Sequence, residues 1–174
     1  RGIASRSNDR LAEACAAHPT RLIGMTAVAP QDPEWSAAEI KRGAALGFKG
    51  VQINSHTQGA YLDEPQFDPI FRALADTGQP LYIHPATLPD NMMGGMIDAG
   101  LDGAVFGFAV ETSYHLLRLV TSGIFDRYPE LQIMAGHGCE ALPYWLYRTN
   151  FMHQAGIRSG RYERMKPLKH DLFH

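Results

Sequence analysis

Four short apolar runs alternate with amphipathic segments along this chain. The runs LIGMTAV, FKGVQIN, PLYIH and LQIMAGH occupy positions 22–28, 48–54, 80–84 and 131–137. Each run has the length of a strand and is largely apolar, which is typical of strands covered on both faces. Strand-like runs that alternate with helical segments predict a parallel sheet of the α/β class.

Helix signals separate the first three runs. A polar helix is predicted over about residues 8–17, before the first run. Asp32-Pro33-Glu34 predicts a capped helix start, and that helix runs to about Ala45. The letters DEPQ at 63–66 open the next helix with an aspartate version of the capping box, and Gly78 ends it. Its apolar positions follow one helical stripe: Phe67, Ile70, Phe71 and Leu74.

The second half of the chain is less regular. Residues 91–103 are rich in Gly and Met, and they predict a short helix or mobile lid over the end of the sheet. A longer helix is predicted over about residues 104–122, and another from Glu140 to about Gln154. The basic tail from Arg158 has no periodicity. The longer helix has the apolar stripe Val110, Leu117, Val120 and Ile124.

Size and termini limit the domain organisation. The 174 residues suffice for a single domain, residues 1–174, and no linker interrupts them. Four βα units fit either a doubly wound sheet or half of an eight-stranded barrel, which typically needs about 250 residues. The chain begins in a helix-like segment and stops at Leu172-Phe173-His174 without a terminator. We therefore expect it to be the central portion of a longer protein.

Composition excludes several classes of partner. The net charge of −2 provides no electrostatic attraction to nucleic acid or an anionic membrane. No apolar stretch approaches the about 18 residues of a membrane span, and the first residues lack a signal peptide's apolar core. Cys15 and Cys139 have no CxxC spacing, so we expect reduced thiols and a cytoplasmic protein.

Two histidines follow the ends of predicted strands, where the side chains of a parallel sheet converge. His84 precedes Pro85, and it is either a metal ligand or a hydrogen-bonded structural residue. His137 lies between two glycines, with Glu140 three residues later. Glu140 could accept a ring N–H of His137, as an acid–base or ligating histidine requires, or could merely complement a helix dipole.

Other candidates surround the same predicted mouth. Asn54 and His56 follow the second strand, as substrate contacts or as turn residues. Phe108 is either an aromatic wall or part of the core. Arg148 lies on the same helix face as Glu140, roughly 12 Å along the axis. That distance suits a site built across a subunit interface, or a surface ion pair.

The glycines around His137 also allow a different interpretation. The letters GHGCEA at 136–141 fit the loose dinucleotide fingerprint after a strand. A histidine between the glycines would crowd a pyrophosphate, and no strand ending in Asp or Glu follows about 20 residues later. A nicotinamide site is therefore disfavoured.

Three longer motifs resemble the decarboxylase branch of the amidohydrolase superfamily. They are GFKGVQINSHTQGAYLDEPQFDPIFRAL, PLYIHP and GIFDRYPELQIMAGHGCEALPYW, and the similarity runs from about Asn8 to Leu168. The resemblance implies a TIM (β/α)8 barrel, of which this chain covers about the middle four βα units. It also implies one divalent metal ion, Mn²⁺ or Zn²⁺, at the mouth and no organic cofactor.

The resemblance also implies roles for individual residues. His84 would be a metal ligand. His137 would hydrogen-bond substrate or metal-bound water, with Glu140 buttressing it. Phe108 would lie beside the substrate ring. Arg148 would bind a carboxylate in a neighbouring subunit of a homo-oligomer, a dimer or tetramer.

The implied reaction is metal-dependent, non-oxidative decarboxylation of a hydroxylated aromatic acid, such as 5-carboxyvanillate or a similar lignin-derived compound. The alternatives are a metal-dependent hydrolase of the same superfamily and a noncatalytic barrel fragment. The sequence departs from the family pattern because the first-strand acid or HxH ligands and the eighth-strand Asp are absent, and GHGCE has Gly-Cys where many relatives have Met-Gly. We expect the missing ligands on strands before Arg1 and after His174.

Overall fold

The computed structural model describes residues 1–169, and the final segment 170–174, with Leu172-Phe173-His174, lies outside the described residues. Seven α-helices and four strands are described in that range, together with two 3-10 turns, Pro65–Phe67 and Gly136–Cys139. The strands are β1 Thr26–Ala27, β2 Val51–Asn54, β3 Leu81–His84 and β4 Ile133–Ala135. The helices are α1 Gly2–Ala17, α2 Pro33–Ala45, α3 Asp68–Thr77, α4 Asp90–Asp98, α5 Gly107–Thr121, α6 Ile124–Arg127 and α7 Leu142–Ser159.

The strands form one parallel sheet in the order β1-β2-β3-β4, so strands consecutive in sequence are neighbours in space. This arrangement confirms the predicted parallel α/β sheet. The strands are shorter than the apolar runs that predicted them. In β1 only Thr26 and Ala27 pair with β2, and Leu22 and Ile23 are exposed. Apolar composition alone does not extend a strand, because each residue also needs a ladder partner.

The core lies between the sheet and the helices that cover it. Its buried members include Ile40 of α2, Ile83 of β3 and Leu119 of α5. The predicted stripe of α3 is confirmed, because its four apolar positions, Phe67, Ile70, Phe71 and Leu74, are all buried. Asp32 caps α2 by accepting the backbone N–H of Trp35 at 3.2 Å.

The predicted capping box at 63–66 is wrong. A 3-10 turn precedes α3, which begins at Asp68. The Asp63 carboxylate instead accepts two hydrogen bonds from Arg118, at 2.7 and 3.1 Å. A bidentate guanidinium is a stronger partner for a carboxylate than a backbone N–H, so the long-range contact prevails over the local one.

The predicted apolar stripe of α5 is confirmed only in part. Ile124 is fully buried in the core and the half-buried Leu117 packs against it, whereas Val110 and Val120 are only half-buried. The fully buried face carries Glu111 and His115 together with Leu119. Apolar periodicity misses this face because its polar residues have partners inside the protein.

Three further helices differ from their predicted limits. Helix α1 begins at Gly2, well before the predicted start, and its buried Asn8 exchanges two hydrogen bonds with the backbone of Ala27, at 2.8 and 2.9 Å. Helix α4 lies within the Gly- and Met-rich segment and has no buried residue. Helix α7 begins at Leu142, because Glu140 has a non-helical backbone with φ 50°. None of the helices within residues 1–169 combines the length and apolarity needed to cross a bilayer.

Candidate active site

His84 and His137 lie side by side at the ends of adjacent strands. His84 is the last residue of β3, and His137 lies in the 3-10 turn that follows β4. Their ring centroids are 5.6 Å apart and the ring planes are nearly perpendicular, at 85°. His84 is half-buried and His137 is exposed, so the pair opens toward the mouth.

The backbone after His84 determines which nitrogen of its ring carries the proton. Nδ1 lies 2.8 Å from the carbonyl oxygen of Pro85. Because a carbonyl only accepts hydrogen bonds, Nδ1 donates, and the lone pair of the neutral ring is on Nε2. A metal-ligating histidine needs this arrangement, in which one nitrogen is oriented by a carbonyl and the other is free to coordinate.

Glycine allows the end of β4 to approach β3. A Cβ at Gly136 would lie 2.9 Å from the backbone oxygen of Ile83 and 3.0 Å from Cδ of Pro85. The next four residues, 137–140, all have positive φ. Three of them, His137, Cys139 and Glu140, are not glycine, and left-handed backbone is strained for such residues. This turn carries His137 out of the sheet to the exposed edge.

The predicted pairing of His137 with Glu140 is wrong. No hydrogen bond joins the two side chains in the part of the chain that the structure describes. Glu140 lies outside the first turn of α7, directly before the N-cap residue Ala141. Burial, together with the Glu140 carboxylate, raises the pKa of the Cys139 thiol. Neither Cys139 nor Cys15 forms a disulfide within residues 1–169.

The end of β2 brings Asn54 next to His84, because the two residues are direct partners in the parallel register. The Asn54 side chain is exposed at the same edge of the sheet. His56, two residues later, is a turn residue: its Nδ1 accepts the backbone N–H of Gly59 at 3.0 Å, and its Nε2–H donates to the carbonyl of Thr87 at 2.9 Å. Both residues line one pocket of about 370 Å³, and the Asn54 side chain accepts a hydrogen bond from Gln52 at 3.4 Å.

Phe108 and Arg148 are not brought into direct contact with the histidines. Phe108 is half-buried in the first turn of α5. Arg148 is exposed on α7 and lines a groove of about 1110 Å³ between α5, α7 and the following tail, with Trp145 and His153. Within residues 1–169, Arg148 has no ion-pair partner.

Sequence reasoning missed a buried polar cluster behind Asn54. The Ser55 hydroxyl donates to Glu111 at 2.6 Å, and His115 Nδ1 lies 2.9 Å from the same hydroxyl oxygen. Burial raises the pKa of the Glu111 carboxyl, although the hydrogen bond from Ser55 opposes the shift. Burial lowers the pKa of His115 to about 3. The spacing of Glu111 and His115, four residues apart on one helix face, was the available signal.

Comparison with known proteins identifies the family. The family model for amidohydrolases matches residues 1–159. The chain belongs to the amidohydrolase family. A gamma-resorcylate decarboxylase from Rhizobium sp. is 38% identical over 156 residues, which are 85% of this chain and 48% of the relative. This amidohydrolase chain therefore spans about half the length of the curated relatives it matches.

Solved structures extend the comparison. A 5-carboxyvanillate decarboxylase from Novosphingobium aromaticivorans, with bound manganese and 3-methoxy-4-hydroxy-5-nitrobenzoic acid, is 70% identical with a TM-score of 0.96. The match covers 99% of this amidohydrolase chain and 50% of that structure. A 2,6-dihydroxybenzoate decarboxylase from Rhizobium is 34% identical with a TM-score of 0.85, and the match covers 98% of this chain and 54% of that structure. These likenesses and the parallel sheet confirm the predicted TIM-barrel class, and residues 1–169 supply four of its strands.

The donor atoms of this amidohydrolase chain fit a metal ion only in part. Nε2 of His84 is a suitable single ligand at the mouth. Among residues 1–169, however, no group of three or more His, Cys, Asp or Glu side chains is arranged to hold a metal. One imidazole is too few for a stable site, because mononuclear catalytic sites typically use about three protein ligands.

Proposed function

We propose that the full-length protein containing this chain is a metal-dependent decarboxylase of a hydroxylated aromatic acid, 5-carboxyvanillate or a similar lignin-derived compound. The observation that carries the proposal is the 70% identity, at a TM-score of 0.96, to a 5-carboxyvanillate decarboxylase with bound manganese and a nitrobenzoic acid. The oriented ring of His84 at the mouth supports it independently of that likeness.

In this proposal His84 binds one divalent ion, Mn²⁺ or Zn²⁺, through Nε2, and no organic cofactor takes part. The remaining ligands come from the other half of the barrel, so residues 1–174 are the central portion of a single domain. A divalent ion at such a site neutralises and orients a phenolate with its neighbouring carboxylate.

The chemistry needs a proton delivered to the ring carbon that bears the carboxylate. The new C–H bond breaks aromaticity, cleavage of the C–C bond then releases CO₂, and the bonding electron pair returns to the ring. His137 is the proposed hydrogen-bond donor to substrate, since its ring is exposed beside His84. Asn54 and Phe108 are proposed to line the substrate. Glu140 has no role in this proposal, because it forms no hydrogen bond with His137 within residues 1–169.

Arg148 is proposed to act in a neighbouring subunit of a homo-oligomer, a dimer or tetramer. Its exposed side chain lies on α7 without an ion-pair partner within residues 1–169, as a residue lent to another site requires. The partner molecule is a small aromatic carboxylate, rather than nucleic acid or a membrane. Free Cys15 and Cys139 support a cytoplasmic location.

Product analysis tests the reaction. The full-length protein, incubated with 5-carboxyvanillate and manganese, should release one CO₂ for each substrate consumed, and His137→Asn should reduce turnover sharply. A hydrolytic product without CO₂ would establish the rival hydrolase reaction. A metal content below about one-tenth equivalent, after growth with Mn and Zn, would favour a noncatalytic protein because a mononuclear catalytic site needs its ion.

A further inference from the structure

A fully buried chain of hydrogen bonds joins the loop after β2 to helix α5. Ser55, Glu111 and His115 each have 0% of their surface exposed. The backbone N–H of Leu62 donates to Nε2 of His115 at 3.2 Å, so the proton of the neutral ring is on Nδ1. Nδ1–H donates to the Ser55 hydroxyl oxygen at 2.9 Å, and that hydroxyl donates to Glu111 at 2.6 Å. The backbone N–H of Leu62 thus determines which group donates in each of these hydrogen bonds.

The chain of bonds holds a strained loop at both ends. His115 contacts Ser55 at the start of the loop and Leu62 at its end. Ser55 has left-handed backbone, with φ 39°, which disfavours any residue with a Cβ. Such a conformation persists only where its surroundings determine it, and such residues cluster at functional sites.

Both sequence neighbours of Ser55 reach the end of β3. Asn54 is the register partner of His84. His56 donates from Nε2–H to the carbonyl of Thr87, in the segment that follows His84. A displacement of Ser55 would therefore move two contacts that shape the mouth.

The cluster is poorly suited to stability alone. The Glu111 carboxylate is fully buried, and its second oxygen, Oε2, has no hydrogen bond of ordinary geometry among residues 1–169, although the Tyr61 hydroxyl and the His56 backbone are close enough to lower the pKa of the carboxyl. An unsatisfied buried polar atom is destabilising, and apolar residues of similar volume often stabilise a core better than buried charges do. We infer that Ser55, Glu111 and His115 are positioning residues that hold the ends of β2 and β3 in the geometry the mouth requires. The kinetic part of this inference rests on the proposed function.

Ser55→Gly is the informative variant, because it removes the hydroxyl and also relieves the left-handed strain, which offsets part of the destabilisation from the unpaired His115 and Glu111 groups. The matched control is Ser36→Ala, which removes another buried serine hydroxyl, bonded at 2.8 Å to the carbonyl of Ala29 in the α2 region. Selective ¹⁵N-histidine NMR of the metal-free full-length protein reports the tautomer of each ring. We expect His56 to be the Nε2–H tautomer in the wild type and in Ser36→Ala, but a mixture of tautomers in Ser55→Gly.

Turnover provides the second measurement. We expect kcat to fall about 10- to 100-fold in Ser55→Gly, with KM changed less than about 3-fold, because misplacement near the site affects the reacting geometry more than binding. Glu111→Gln keeps an acceptor for the Ser55 hydroxyl and should retain the wild-type His56 tautomer, whereas Glu111→Leu should not. A folded Ser55→Gly with a wild-type His56 tautomer, and with the kcat of Ser36→Ala, would overturn the inference. If the wild type releases no CO₂, the proposed function fails, while the tautomer measurement still decides the inference.

Discussion

One added methyl group at Gly136 should move the two histidines apart without altering either ring. A Cβ there would lie 2.9 Å from the backbone oxygen of Ile83, and ordinary contact begins near 3.4 Å, so the strand ends must separate by about 0.5 Å. Neither that oxygen nor Cδ of Pro85, at 3.0 Å, belongs to a flexible side chain that could rotate away. The shift therefore falls on the end of β4, which leads directly to His137.

The magnitude follows from that displacement. Overpacking of this kind typically costs about 1–3 kcal/mol, so Gly136→Ala should lower the free energy of unfolding by about 2 kcal/mol. A misplacement of about 1 Å can reduce turnover about 100-fold, so about 0.5 Å should reduce kcat about 10-fold.

Gly50→Ala is the matched control, because it crowds the opposite end of the sheet. Its Cβ would lie 3.1 Å from Cε of Met25 and 3.2 Å from the backbone oxygen of Pro80, just before β2. It should also destabilise the fold, by about 1 kcal/mol, but leave kcat unchanged. Urea unfolding followed by circular dichroism and CO₂ release by the full-length protein measure the two effects. Equal kcat in both variants, or wild-type stability of Gly136→Ala, would refute the reasoning.

Three further predictions concern stability. Asp63→Asn removes the main counter-charge of Arg118 and should lower the free energy of unfolding in urea by about 3 kcal/mol. Asp76→Asn, in an exposed ion pair, should lower it by less than about 1 kcal/mol, and equal losses in the two variants would contradict this prediction. Burial lowers the pKa of His115 from 6.5 to about 3. Between these two pH values the unfolded chain binds a proton that the native ring does not. The contribution of the neutral ring to stability is therefore complete above pH 6.5 and declines as the pH falls toward 3. His115→Gln should flatten the plot of unfolding free energy against pH between those values by up to about 1.4 kcal/mol per pH unit, and an unchanged slope would exclude this origin. Asp32→Ala removes the α2 cap and should cost about 1 kcal/mol, seen as a lower Tm by about 2–4 °C; an unchanged Tm would count against the cap.

Local signals predicted those parts of the fold that local physics determines. The cap at Asp32, the buried stripe of α3 and the left-handed end at Gly78 each depend on residues within one or two turns. The proximity of His84 and His137 was also predictable, because parallel strands present their carboxyl ends at one edge of a sheet.

Long-range partners explain what the sequence pattern missed. Asp63 carries the letters of a capping box, but Arg118, 55 residues away, binds its carboxylate. Glu111 lies on the buried face of α5 because Ser55, 56 residues away, supplies a hydroxyl. Glu140 lacks its predicted contact with His137 because a run of left-handed backbone precedes α7. Such pairings depend on tertiary structure, which no short spacing encodes.

The central claim is that the mouth at His84 and His137 serves a metal-dependent decarboxylation. The most direct test measures ¹³CO₂ release from carboxyl-labelled 5-carboxyvanillate by the full-length protein as purified, after chelator treatment, and after manganese is returned. We predict that release stops when the metal is stripped and recovers when manganese is added, and that His84→Ala prevents the recovery. Undiminished ¹³CO₂ release by rigorously metal-free protein would contradict the account.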